Sequence, residues 1–182
     1  MQEIILRARA KINLTLDVIG KQPNGYHTVC MIMQTLSLYD GIYIKRIDKP
    51  VIRIKSNLYW LPTDEKNLAY RGAELLRDTF HIQEGVFIYL DKKIPVAAGL
   101  AGGSADCAAV MVGMNKLFKL GLSKKRLMEL SLQLGTDIPY CILQGTALAE
   151  GLGEKLTPIV NGCPFCYVLL AKPNISISTA SV

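Results

Sequence analysis

No apolar run in the sequence approaches the ~20 residues that a helix needs to cross a bilayer, so no membrane partner is expected. The start, Met1-Gln2-Glu3-Ile4-Ile5-Leu6-Arg7, lacks the basic region, apolar stretch and small-residue cleavage site of a secretory signal, and it is too strand-like for a transit peptide. The chain therefore reads as cytoplasmic. It has no internal repeat and no low-complexity linker. It also lacks an arginine-rich arm and any basic module interleaved with aromatics, the usual marks of nucleic-acid binding. The five cysteines are an odd number, which in such a chain predicts free thiols. Cys163-Pro164-Phe165-Cys166 has redox or metal spacing, but no second pair or histidine stands beside it, and the spacing is read as chance.

What is present is a globular composition. Half of the 182 residues are hydrophobic and 20% are charged, enough for one domain with a proper core. The net charge of +6 suits either nucleic acid or a small anionic substrate such as a nucleotide. Its lysines and arginines are spread out, clustering only at Lys92-Lys93 and Lys124-Lys125-Arg126.

The most informative stretch runs from Asp91 to Phe118. Small residues fill Ala97 to Ala105, with glycines at 99, 102 and 103. Ser104 is a good N-cap and Asp106 suits a helix first turn, so a helix is expected after Ser104, ended by Gly121. A glycine-rich bend entering a helix offers bare N–H groups and the positive end of the helix dipole, an anion site suited to phosphate. Lys92 and Lys93, just upstream, add charge. No Gly-Lys-Ser/Thr closes the loop, and the glycines do not fit the dinucleotide fingerprint.

Elsewhere the pattern is β-rich first, then mixed, which predicts an α+β fold. Residues 4–19 alternate, placing Lys11, Asn13, Thr15 and Asp17 on one face. That face is either solvated or aims a lysine and an amide into a site. After the turn at 20–25, Tyr26-His27 is a candidate ligand-binding pair. Residues 28–47 read as strand with a turn near Asp40-Gly41, and 51–55 as another short strand. A helix is expected over 68–80, a strand over 86–90, and a helix capped by Ser123 reaching about Leu134. Gly135-Thr136-Asp137-Ile138-Pro139 is a constrained turn. From the residues alone, Asp137 is a turn aspartate bonded to its own backbone. Residues 140–149 and 165–172 read as strands, with a turn at 151–155.

Four strings occur in order: Ala10-Lys11-Ile12-Asn13-Leu14, Gly25-Tyr26-His27, the loop from Pro95 through Val96, Ala97, Ala98, Gly99, Leu100, Ala101, Gly102, Gly103, Ser104 and Ala105 to Asp106, and Gly135-Thr136-Asp137-Ile138-Pro139. Together they resemble the GHMP kinases, a family that includes galactokinase, homoserine kinase and mevalonate kinase. The Gly-Tyr-His string is similar to the branch that acts on a cytidine-linked substrate.

The resemblance implies a two-layer α/β sandwich like that of a ribosomal protein, here residues 1–170, with 171–182 leading toward a C-terminal domain of roughly a hundred residues beyond Val182. It implies transfer of the γ-phosphoryl of ATP, with Mg²⁺, to the 2-hydroxyl of 4-diphosphocytidyl-2-C-methyl-D-erythritol, on the methylerythritol phosphate route to isoprenoids. Lys11 and Asp137 fall on the catalytic pair, and Pro95 to Ala105 on the ATP phosphate loop. Asn67 falls on an adenine contact, Tyr26 and His27 on the residues that hold the cytosine, and Asn13 and Thr179 near the substrate. Ser104 is the one candidate metal contact. Another alcohol-phosphorylating member of the family, or a basic nucleic-acid-binding module of similar fold, are the alternatives.

Overall fold

The computed structural model describes residues 2–21 and 27–172. Its hub is a long strand, β2 (His27–Ile47), whose alternation buries Met31, Met33, Asp40, Ile42 and Ile44. β1 (Glu3–Lys21) runs antiparallel along one side of it, with register shifts at Arg9/Lys11, Asn13/Thr15 and Val18/Gly20. On the other side β2 pairs antiparallel with two strands in turn. Residues 41–47 meet β4 (Gly85–Asp91), and residues 29–34 meet β5 (Thr146–Gly151). β3 (Ile52–Ser56) adds parallel to β4, and β6 (Lys155–Pro158) adds antiparallel to β5.

Helices form a second layer over this sheet, as expected for a mixed α+β fold. α1 (Leu68–Thr79) is the crossover between the parallel strands β3 and β4, a connection too long for a hairpin. α2 (Gly102–Leu117) packs on β1 and β2 with α1 beside it, buried on nearly every side. Its contact with α1 is close because Gly72 has no side chain. A Cβ there would stand 2.7 Å from Cys107 Sγ and 3.3 Å from Met111 Cγ. α3 (Lys124–Ser131) and α4 (Ile138–Leu143) close the layer, α3 capped by Ser123, whose hydroxyl accepts from Arg126 N–H. The main core joins Ile42, Ile44, Ile54, Val86, Ile88 and Leu90 of the sheet to Leu76, Val110, Met111, Met114 and Leu117 of the helices.

Four sequence expectations change. The backbone runs straight through Asp40-Gly41, because the Asp40 carboxylate finds buried partners and no turn is needed to satisfy it. Of the strand expected over 140–149, residues 140–143 belong to a helix and only 146–149 are strand: Pro139 occupies the first turn of α4, where a proline lacks nothing the helix uses. Residues 165–172 form no strand, and Phe165, Tyr167 and Leu169 are almost fully exposed. α2 starts two residues before Ser104 and ends at Leu117, short of Gly121. No helix among the described residues is long and apolar enough to cross a membrane.

Candidate active site

The run from β4 into α2 is built from left-handed residues at alternate positions: Ala97 (φ 54°), Gly99 (φ 71°) and Ala101 (φ 54°). An alanine in this region costs of order 1 kcal/mol or more, a strain that persists where surroundings enforce it. Such alternation is the backbone from which anion-binding nests are made. Ala101, not Ser104, is the N-cap, and no side chain caps the helix. The first helical bond runs from Ala105 N–H to Ala101 O at 2.8 Å. The N–H groups of residues 102–104 precede it and have no acceptor within the helix. Ser104 is therefore inside the first turn, its hydroxyl released from capping.

This loop lines a cleft of about 550 Å³. Pro95 to Ser104 lie along it, with Asn67, Lys66, Leu61 and Pro62 on one wall and Lys11, Asn13 and Asp137 on another. β1 is tied to the loop by Lys11 N–H, which donates to Leu100 O at 3.1 Å. The side chain of Lys11, 6% exposed, points back into the cleft. Its ammonium donates to Asn13 Oδ1 at 3.2 Å and stands 3.6 Å from Asp137 Oδ2. Asp137 precedes α4 but makes no side-chain capping bond, so its carboxylate is free for Lys11. The local-turn reading of Asp137 is thereby corrected. Two residues far apart in the chain meet beside the N-terminus of a 16-residue helix.

The remaining candidates divide. Asn67 borders the cleft, but its amide is engaged in capping α1: Oδ1 accepts from Ala69 N–H at 2.9 Å and Nδ2 donates to Pro62 O at 2.7 Å. His27 is exposed at the start of β2, paired with Lys21, and does not line the cleft. Tyr26 and Thr179 lie outside the described residues. All five cysteines are free, and no group of three or more histidine, cysteine or acidic side chains among the described residues is placed to hold a metal. Burial pushes the Cys107 thiol up to about 12, consistent with an inert packed side chain.

Sequence reasoning missed one cluster beneath the loop. Lys92, expected to lend free charge, is buried. Its ammonium bonds Asp106 Oδ2 at 2.5 Å and also Asp40 Oδ2. The Asp106 carboxyl is pushed up to about 8. Burial is the main cause; the Lys92 ammonium opposes it and the Asp40 charge adds to it. Burial works to lower Lys92, but the two carboxylates outweigh it and its pKa is raised. The folded state thus binds a proton at Asp106 more tightly than the unfolded chain, whose ordinary value is 3.8. Stability from this group falls as pH rises across that interval. Lys92 changes nothing there, since its contribution is lost only above its ordinary value of 10.5. The urea midpoint of the wild type relative to Asp106→Asn is expected to fall between about pH 5 and about pH 8. A relative midpoint that rises over that range would contradict the assignment.

Residues 67–145 match the family model described as the GHMP kinases N terminal domain. Over those residues the chain carries a GHMP kinase N-terminal domain. A protein of Lachnoclostridium phytofermentans named 4-diphosphocytidyl-2-C-methyl-D-erythritol kinase is 56% identical over all 182 residues, which span 62% of that protein. A protein of the same name from Clostridioides difficile is 50% identical over 183 aligned residues, again 62% of its length. The chain thus spans a little over three-fifths of these curated relatives. Among solved structures, a 4-(cytidine 5'-diphospho)-2C-methyl-D-erythritol kinase superposes with a TM-score of 0.75 at 33% identity, over 86% of this chain and 55% of the other. The Methanococcus jannaschii mevalonate kinase shares the fold, with a TM-score of 0.68 at 15% identity, over 87% of this chain and 56% of the other. In this GHMP kinase N-terminal domain, the family match takes in the loop and Asp137, whereas Lys11 and Asn13 lie outside the matched range.

Proposed function

We propose that this chain supplies the nucleotide-binding and catalytic part of a cytoplasmic kinase that transfers the γ-phosphoryl of ATP to the 2-hydroxyl of 4-diphosphocytidyl-2-C-methyl-D-erythritol. The observation that carries this reading is the Lys11–Asp137 pair at the wall of a cleft lined by the N-terminus of α2. The naming of relatives at about half identity over the whole chain supports the substrate.

Phosphoryl transfer asks a protein for positioning and charge stabilisation more than for covalent help. The N–H groups of residues 102–104 and the left-handed loop before them hold the triphosphate, and the helix dipole favours its charge. Asp137 accepts the proton of the attacking hydroxyl. Lys11, held by Asn13, fixes the Asp137 carboxylate and places a positive charge where the transferring group becomes more negative. Asn13 borders the acceptor. Tyr26 and His27 hold the cytosine, Thr179 lies near the substrate, and the Asn67 region receives the adenine. The Ser104 hydroxyl is an oxygen donor of the kind Mg²⁺ takes alongside phosphates. When bound there, the ion would shield the phosphate charge.

The test is a panel of alcohols offered with γ-labelled ATP: the cytidyl substrate, mevalonate and homoserine. Label is expected on the cytidyl substrate alone. Label on another alcohol would move the chain to a different branch of the family. Salt-sensitive RNA binding without transfer to any alcohol would support the nucleic-acid alternative.

A further inference from the structure

The Asp40–Lys92–Asp106 cluster is not used by the chemistry above, yet it lies beneath the loop that would hold the nucleotide. It joins three parts of the fold. Asp40 comes from the middle of β2, Lys92 from the exit of β4, and Asp106 from the second turn of α2. Asp40 Oδ1 accepts from the backbone N–H groups of Lys93, at 2.5 Å, and Ile94, at 2.8 Å. Asn57 grips the Lys92 backbone from the other side, accepting from its N–H at 2.8 Å and donating to its carbonyl at 3.0 Å. The first helical residue rests on the ammonium: a Cβ on Gly102 would stand 3.4 Å from Lys92 Nζ. Asp106 Oδ1 is buried with no hydrogen-bond partner among the described residues.

A buried charge cluster is a weak source of stability, because desolvation offsets most of the attraction. Apolar packing would hold this junction as well. What apolar packing cannot supply is positive charge under the helix N-terminus. Around neutral pH Asp106 holds its proton, so the charge that the ammonium balances is that of Asp40, and without Lys92 the floor of the cleft would repel an anion.

We propose that Lys92 is a positioning residue for the nucleotide phosphates. Clamped by Asp40 and Asp106, it fixes the start of α2 against β2 so that the loop N–H groups converge before the ligand arrives, and it offsets the Asp40 carboxylate below them. The proposal rests on the reading of the cleft as a nucleotide site.

The test compares the affinities of ADP and adenosine, whose difference reports the phosphates alone. The double variant Lys92→Met/Asp106→Asn removes the ammonium together with the buried acid beside it and leaves Asp40 its two backbone donors. Adenosine affinity is expected to stay within about twofold while ADP affinity falls at least about tenfold. Asp106→Asn alone keeps the ammonium and, through the amide oxygen, an acceptor for it, so ADP affinity is expected to hold within about twofold. Weaker ADP binding in that single variant would overturn the proposal. So would a folded double variant that retains ADP affinity, or one in which both ligands weaken in proportion. A wild-type chain that binds adenosine and ADP alike would overturn the nucleotide reading as well.

Discussion

Asp137→Asn is expected to lower the rate of phosphoryl transfer by about 10²–10⁴-fold, the range that a positioned proton acceptor contributes, with ADP affinity within about threefold of wild type. Asparagine has the shape of aspartate and cannot take the proton of the acceptor alcohol. The backbone at this position is held independently of the side chain. Cys141 N–H donates to Asp137 O at 3.1 Å, Pro139 is in the first turn of α4, and Ile138 is fully buried. The substitution should therefore shift the melting temperature by no more than about 2 °C, as for a site that supports little of the fold. Lys11 keeps its hydrogen bond to Asn13 Oδ1 at 3.2 Å and stays in the cleft. The loop that would bind phosphates makes no contact through the lost charge. The measurements are steady-state transfer from labelled ATP and calorimetric ADP binding. A rate within tenfold of wild type removes Asp137 as the proton acceptor. A collapse of ADP binding with the rate would mean that Asp137 serves the nucleotide instead.

The parts of this site that were legible in the sequence are those whose physics is local. The phosphate loop announces itself because glycines and alanines must crowd where backbone, not side chains, does the binding. α3 was legible from Ser123, a cap whose side-chain bond reaches only three residues along, and α1 from the spacing of its own apolar residues. The pairing of Lys11 with Asp137 was not local, and the residues alone favoured a turn aspartate; only the resemblance joined them. α4 was misread because Ile138-Pro139-Tyr140-Cys141-Ile142-Leu143 is too short to show a helical period, and its proline looks like a breaker until it is seen to stand in the first turn. Asp40 was the most opaque. An aspartate followed by glycine is the usual mark of a turn. Nothing nearby says that a lysine 52 residues away will meet it inside the core.

That hidden contact carries the second large effect. Lys92→Met is expected to destabilise the chain by about 3–5 kcal/mol, the cost of removing one partner from a buried ion pair, and so to lower the melting temperature by roughly 6–20 °C. Methionine fills nearly the same volume, so a cavity contributes little; the loss is electrostatic. Asp40 retains the N–H groups of Lys93 and Ile94. Asp106 retains nothing, since its second oxygen already lacks a partner. Its carboxyl is held at about 8 even with the ammonium present, and the Lys92 charge acts to lower it. Without that charge it moves further up, and the buried site avoids an unpaired carboxylate by keeping the proton. The destabilisation should therefore be smaller at about pH 7, where Asp106 carries its proton with or without Lys92, than at about pH 9, where the wild type ionises beside the ammonium and the variant must ionise unpaired or hold a scarce proton. Adding Asp106→Asn should recover most of the lost stability at either pH, because the amide imposes no buried charge. Urea midpoints of the two variants at both pH values decide the matter. A Lys92→Met deficit that does not depend on pH, or that Asp106→Asn fails to relieve, would mean that packing rather than charge holds this junction under the loop.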